Sequence, residues 1–339
     1  MTRPARAPLH LLSCDGGRNM AELVARLIER PLVSAHDRWF ACGEGKYVIH
    51  ENVRGGDVYV FQAPLGPGQG SVYDRFVMLL HAVEAAALSD AAFVTAVVPY
   101  FPGARQDKRK GRAREGISAG LFARCLEDAG ASRVVTVDIH NEAIAGMFNP
   151  ARCRLENIHL THRLAGWLAR EGLCGDVVAS PDVGGMERAR GYASALGFPL
   201  VALSKERDYS TVNQVLRSTL IGDVRGRDVL LVDDIVDTAG SACSAIEELK
   251  AEGAGDIILT CVHPVFSDPA TARLQAVADR AVAEGWRFRV VGATTIRHAD
   301  APDWYVPFPM EPLLAQVIRM LNRRGSVTGV ERSENWVEE

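Results

Sequence analysis

The densest chemistry in this sequence lies in VLLVDDIVDTAGSA, residues 229–242. An apolar run delivers Asp233 and Asp234 to its carboxyl end, and the short turn Asp237-Thr238-Ala239-Gly240-Ser241 opens a helical pattern. Small residues let a backbone approach a phosphate closely, and the first N–H groups of a helix can donate to phosphate oxygens alongside Thr and Ser hydroxyls. Paired carboxylates suit the vicinal hydroxyls of a sugar or a hydrated Mg2+. A capped turn with solvated acids is the plainer alternative, but these features rarely coincide at this spacing. A second candidate is RQDKRKGRAR, 105–114, a basic run in a chain of net charge −4, which reads as an anion site rather than a solvated loop. His140 ends the apolar stretch VVTVDI, and Asp182 sits in SPDVGG, where Gly184 and Gly185 allow close backbone approach ahead of a helix. Arg188 and Arg190 in that helix read equally well as ordinary surface cations. Lys205 and Arg207, in SKERDYSTVNQV, read on their own as an exposed basic turn.

These groups need elements to hold them. Apolar, β-rich runs at 57–62, 92–99, 133–139, 176–180, 228–232, 256–262 and 288–292 alternate with helical patterns at about 19–30, 72–88, 117–129, 160–172, 185–196, 241–252 and 311–323. The opening residues read as a further strand, because their apolar stretch breaks off at Asp15 and is too short for a secretory segment. Such alternation predicts βαβ units and mainly parallel sheets. Ser71 and Ser241 are placed to open helices, and Gly130 and Gly253 to end them. Two apolar strands that end in acidic or imidazole groups, VVTVDIH and VLLVDD, predict two related α/β domains with a boundary near 150–157. The stretches 34–56 and 101–117 read as long irregular segments, and the polar stretch from about 324 as loosely ordered.

Composition narrows the class. The chain has 339 residues, 47% of them hydrophobic and 24% charged, which excludes disordered and fibrous proteins. The mild negative charge argues against broad binding to nucleic acid, and no apolar run reaches the roughly 18 residues of a membrane span. Seven scattered Cys with no CxxC pair predict free thiols in a cytoplasmic protein.

The 229–242 stretch resembles the PRPP-binding loop of type I phosphoribosyltransferases and PRPP synthetases. ENVRGGDVYVFQ (51–62), VVPYFPGARQDKRKGRAREGIS (97–118), VVTVDIHNEAIAGMF (134–148), ASPDVGGMERAR (179–190) and HPVFS (263–267) are similar to the ribose-phosphate pyrophosphokinase family, in family order and over roughly residues 9–328. The resemblance implies two phosphoribosyltransferase-like α/β domains, each a mainly parallel sheet flanked by helices. They are expected at 1–155, with an ATP-binding loop, and at 156–305, with a ribose 5-phosphate loop. A helix at 306–323 is expected to pack on the first domain, and a polar tail to fill 324–339.

It also implies roles. Arg105, Gln106 and Asp107 match the family's ARQD motif, where Arg and Gln contact ATP. His140 matches a residue that helps hold Mg·ATP, and Asp182 an acidic metal or ribose position. Asp233, Asp234, Asp237, Thr238, Ala239, Gly240 and Ser241 match the ribose 5-phosphate loop. Lys205 and Arg207, with Gln214 and Val215 beyond, match the K-x-R catalytic loop that folds over the transferred phosphate. Phe40 and Glu44 match an F-x-D-x-E segment that completes the adenine pocket of a neighbouring subunit.

The implied activity is transfer of the pyrophosphoryl group of ATP to the C1 hydroxyl of ribose 5-phosphate. Mg2+ is the implied cofactor, phosphate and ADP the implied effectors, and a dimer-based homo-oligomer, up to a hexamer, the implied assembly. Several positions depart from the family pattern. Cys42 replaces the Asp of the adenine segment, Ala239 stands where Gly is frequent, Ser241 replaces Thr, Gly116 replaces Pro, and Glu331 lies near an expected aromatic. These departures keep two rivals open, a non-catalytic regulatory subunit and a pyrophosphokinase with another donor or acceptor.

Overall fold

The computed structural model describes residues 4–66, 69–109, 111, 114–207 and 215–331, with the backbone alone for 204–207 and 215–219. The chain divides into two compact units. One holds the residues up to His159, Thr295–His298 and everything from Met310 onward; the other holds Leu160–Thr294 and Ala299–Pro309.

The first unit contains β1 (Leu9–Ser13), α1 (Arg18–Ile28), β2 (Ala35–Trp39), β3 (Gly45–Ile49), β4 (Asp57–Phe61), α2 (Val72–Leu88), β5 (Phe93–Val97), α3 (Ser118–Asp128), β6 (Arg133–Val137) and β7 (Arg154–Ile158). Its main sheet runs β1-β4-β5-β6-β7, parallel throughout. Every residue of β4 is buried, as an inner parallel strand covered on both faces requires. Helix α2 begins at a reciprocal cap: the Ser71 hydroxyl accepts from the Asp74 N–H at 3.2 Å, and the Asp74 carboxylate accepts from the Ser71 N–H at 2.8 Å. The core joins Leu12, Val60, Phe76, Leu79, Val83 and Val134.

The 34–56 stretch is not irregular. β2 and β3 form an antiparallel hairpin, with Ala35 opposite Ile49 and Trp39 opposite Gly45. Polar residues such as His36, Arg38 and Lys46 interrupt the apolar pattern of these five-residue strands. The hairpin is fastened by buried Tyr47, whose hydroxyl donates to the Ser13 carbonyl at 3.0 Å.

The second unit contains α4 (Thr161–Arg170), β8 (Val177–Ser180), α5 (Met186–Leu196), β9 (Leu200–Arg207), β10 (Val215–Ile221), β11 (Val229–Val236), α6 (Gly240–Ala251), β12 (Ile257–Pro264), α7 (Ala270–Glu284), β13 (Phe288–Ala293) and β14 (Tyr305–Phe308). Its sheet runs β10-β9-β8-β11-β12-β13-β14 and is parallel except for the β9–β10 pair. Chain order climbs outward in both directions from β8 and β11. The crevice beyond their carboxyl ends is therefore a topological switch point, where open α/β sheets bind ligands.

The chain then returns to the first unit through α8 (Glu311–Asn322) and α9 (Val327–Glu331). Arg319 of α8 donates to the Leu27 carbonyl of α1 at 2.9 Å. The stretch from 324, expected to be loose, carries α9. Val327 is buried there, and the Glu331 carboxylate accepts the His159 N–H at 2.9 Å.

Candidate active site

The switch point of the second unit gathers the acidic residues that the sequence singled out. Register puts Leu231 of β11 opposite Ala179 of β8, and Asp233 opposite Cys261 of β12. Asp233 and Asp234 thus follow the buried part of the strand, and both are partly buried. The Asp233 carboxylate accepts the Asp234 N–H at 2.8 Å, and the Asp234 carboxylate accepts the Ile235 N–H at 2.9 Å. Burial first, and the neighbouring Asp234 charge second, push the Asp233 carboxyl up to about 8. Arg188 of α5 stands 3.5 Å from Asp234, so it is not an ordinary surface cation.

The following loop is built around backbone donors. Helix α6 begins at Gly240, with Ala239 as its N-cap at φ +60° and ψ 6°. Ser241, expected to open the helix as its cap, sits instead within the first turn. Ala239, as the N-cap, has no side-chain oxygen to offer the first turn. The first amides of the helix keep their capacity for an anion. An alanine in the left-handed region costs about 1–2 kcal/mol, and such strain tends to sit at ligand clamps. From α7, Arg273 donates to the Thr238 carbonyl at 2.8 Å.

Asp182 follows β8. Its carboxylate accepts the Gly185 N–H at 2.9 Å, and its carbonyl accepts from the Ser180 hydroxyl at 2.7 Å. A Cβ at Gly185 would lie only 2.7 Å from the Ser180 Oγ, so a side chain there would push that hydroxyl off its bond to the Asp182 carbonyl.

The first unit gathers a second group. Gln106 accepts from the Ser118 hydroxyl, and Asp107 accepts from the Asn141 amide. Burial raises the Asp107 carboxyl, but the Asn141 bond, a backbone bond and the charges of Lys108 and His140 together hold it below the ordinary value. The ARQD loop and the end of β6 therefore meet. Arg105 and His140 are exposed beside them. Asp138, at φ +37°, lies 3.3 Å from the His159 Nδ1, and that bond leads the causes that raise the imidazole. Phe40 and Glu44 frame the β2–β3 turn, where the Phe40 N–H donates to the Glu44 carbonyl at 2.8 Å. The Phe40 ring is 41% exposed and has Arg38 and Lys46 within 5.6 Å and 5.9 Å of its centroid. Phe40 and Glu44 line a cavity of about 390 Å3 with Trp39, Val77, Met78 and His81.

Lys205 and Arg207 lie on β9, opposite Ser218 and Val215 of β10. Their side chains, and Gln214, lie outside the described residues. His140 and Asp182 belong to different units. Among the described residues, no three His, Cys, Asp or Glu side chains converge as a metal site. Asn141 and Arg273 were not singled out in the sequence. Asn141 had a local signal, since it directly follows His140, whereas Arg273 had none.

Similarity to known proteins sets the class first. Residues 155–286 match the phosphoribosyl transferase domain, in accord with the switch-point loop of the second unit. Residues 9–130 match the N-terminal domain of ribose phosphate pyrophosphokinase. A ribose-phosphate pyrophosphokinase of Mycobacterium tuberculosis is 37% identical over 96% of this chain and 96% of its own length. One from Wolinella succinogenes is 36% identical over 91% of this chain and 94% of its own. The crystal structure of phosphoribosylpyrophosphate synthetase from Mycobacterium smegmatis superposes with a TM-score of 0.82 at 32% identity, covering 94% of this chain and 100% of that one. The chain belongs to the ribose-phosphate pyrophosphokinase family.

Proposed function

We propose that this chain transfers the β,γ-pyrophosphoryl group of ATP to the C1 hydroxyl of ribose 5-phosphate, giving PRPP and AMP. The observation that carries the reading is the switch-point loop, where two carboxylates near the end of one strand precede a helix whose N-cap is an alanine with no side-chain acceptor. The 5-phosphate of the sugar sits on the amides and hydroxyls of 237–241. Asp233 and Asp234 accept from its ring hydroxyls, and Asp182 faces the same crevice from β8. Arg105, Gln106, Asp107 and His140 bind ATP in the first unit, with the guanidinium clamping phosphate and Gln106 reading the base.

The C1 oxygen attacks the β-phosphorus in line, and AMP departs. Lys205 and Arg207 stabilise the charge that develops on the transferred group, so positioning and electrostatics supply most of the rate. Mg2+, when bound, would neutralise phosphate charge; Asp182 is the residue that would hold it in the second unit, and His140 the one that would help hold Mg·ATP in the first. The residues fit such an ion, because Mg2+ takes only one or two protein carboxylates and fills its shell with substrate phosphate and water. The raised Asp233 carboxyl is also an oxygen donor that a nearby cation would favour in its ionised form.

Phe40 and Glu44 complete the adenine pocket of a second copy of the chain. The exposure of Phe40, between two cations, supports that reading and with it a homo-oligomer. Seven free cysteines support a cytoplasmic setting. Among the described residues, no helix is long and apolar enough to cross a membrane.

The deciding assay is AMP and PRPP formation from Mg·ATP and ribose 5-phosphate by the purified chain. Equal yields of both are expected; ATP binding without turnover would end the reading. Within that assay, Lys205→Ala should lower kcat by about 100-fold or more while KM changes little. A rise in KM alone would remove Lys205 from the transition state.

A further inference from the structure

To take a phosphate, the 237–241 loop needs its backbone held in a binding shape. Ala239 supplies a left-handed residue immediately ahead of helical Gly240, an arrangement that turns successive N–H groups toward one concavity. Alanine does not favour that conformation, so contacts that hold the neighbouring peptides offset its cost. From α7, Arg273 reaches this loop and donates to the Thr238 carbonyl.

We infer that Arg273 is a positioning residue for the ribose 5-phosphate loop, which it orients through the Thr238–Ala239 peptide. The inference rests on the proposed binding of the sugar phosphate at 237–241. In a trans peptide, the carbonyl and the N–H of the next residue lie in one plane and point in opposite directions. Arg273 holds the Thr238 oxygen at 2.8 Å and so directs the Ala239 N–H to the opposite side of the loop. The same Nη1 lies 3.3 Å from where a Cβ on Gly240 would stand, so the guanidinium also backs the first residue of α6. Arg273 reaches this point along the wall of a cavity of about 530 Å3 between α6 and α7 and is itself exposed. It acts from behind the loop, through the Thr238 carbonyl. A guanidinium with a second donor in its fork suits the task, and lysine, with one point of charge, suits it less well.

The experiment compares Arg273→Ala, Arg273→Lys and Arg273→Gln with the parent in steady-state kinetics and thermal unfolding. Gly240→Val, which blocks the loop directly, is the control for the loop itself. Arg273→Ala is expected to raise KM for ribose 5-phosphate about tenfold, while KM for ATP and kcat stay within about twofold. Lys and Gln, which can still donate to the carbonyl, should recover part of the loss. The unfolding temperature should hardly move, because the side chain is exposed. If KM for ATP or kcat shifts as much as KM for ribose 5-phosphate, or if Lys and Gln recover nothing, the positioning role is wrong. If Arg273→Ala leaves KM for ribose 5-phosphate unchanged while Gly240→Val raises it, the inference fails and the loop reading stands. If neither variant raises it, the loop reading fails as well. Should the alanine variant not fold, Arg273→Gln alone carries the comparison.

Discussion

Asp233 is a carboxyl group held against its own ionisation, and that has a measurable consequence. In the unfolded chain it titrates near the ordinary 3.8, whereas in the folded protein burial and the Asp234 charge carry it to about 8. Between those two values the native state keeps a proton that the unfolded chain has lost. Folding stability contributed by this group is full below about pH 4, declines as pH rises, and is lost once pH passes about 8. The slope cannot exceed about 1.4 kcal/mol per pH unit for one group. Asp233→Asn keeps the shape and removes the titration. Its unfolding temperature relative to the parent should therefore improve progressively from pH 5 to pH 8, in buffers free of divalent metal. Parallel curves for variant and parent across that range would show that Asp233 ionises normally. Added Mg2+ and ribose 5-phosphate should shrink the gap at pH 8, because donors and cations at the site favour the charged form of the parent.

Elements succeed or fail in the sequence according to how much apolar surface they bury. Ser71 and Asp74 announce α2, and the structure builds both halves of the cap. Ser71→Ala should lower the unfolding temperature by about 2–4 °C, and Ser71→Asp, which keeps an acceptor, should restore most of it. An unchanged unfolding temperature in Ser71→Ala would mean that packing alone fixes the start of the helix. Strands β4, β5, β6, β8, β11, β12 and β13 were legible because they read as continuous apolar runs, as β4 and β12, buried throughout, do, whereas β7, β9, β10 and β14 were not read as strands. Helix α7 was not legible either. It buries mainly Ala270, Leu274, Val277 and Ala281, and small side chains leave a faint periodicity. The β2–β3 hairpin was missed for the opposite reason, since charged and imidazole side chains occupy its exposed positions. The candidate site divides along the same line. The 229–242 loop is local in sequence and could be read directly. Arg273 could not, because it lies on the unseen helix and its partner is 35 residues away. Ala239 sits between: its identity was visible, but its positive φ is a property of the folded loop.

The order of the chain makes the second unit an insertion within the first. The first unit begins the sequence, is left at His159, and is completed only when α8 returns. Its closure is marked by one buried ionic cluster. Asp57, at the start of β4, has a side chain 0% exposed and accepts from the Arg6 Nε at 2.8 Å, from the Asn322 amide at 2.8 Å and from the Tyr59 hydroxyl at 3.2 Å. The Arg6 N–H in turn donates to the Asn322 carbonyl at 2.8 Å. Segments 316 residues apart in number thus converge on one carboxylate (Arg6 to Asn322, 322 − 6). A buried ion pair adds little net stability over an apolar pair of the same shape, but removing one partner strands a charge, at a cost of about 3–5 kcal/mol. Arg6→Ala should therefore destabilise the first unit strongly. The double variant Arg6→Ala/Asp57→Ala should be less damaged than the two single effects added together, because no charge is left without its partner. Hydrogen exchange of β1 and β4 amides reads the first unit separately from the second, which matters in a chain that need not unfold in one step. Arg6→Ala should speed exchange in β1, β4 and α8 while leaving β11 and β12 near the parent rate. Strictly additive losses would show that the cluster holds no coupled charge. Equal acceleration in β11 and β12 would show that the two units open together, and that the return of α8 governs the whole chain rather than the unit it closes.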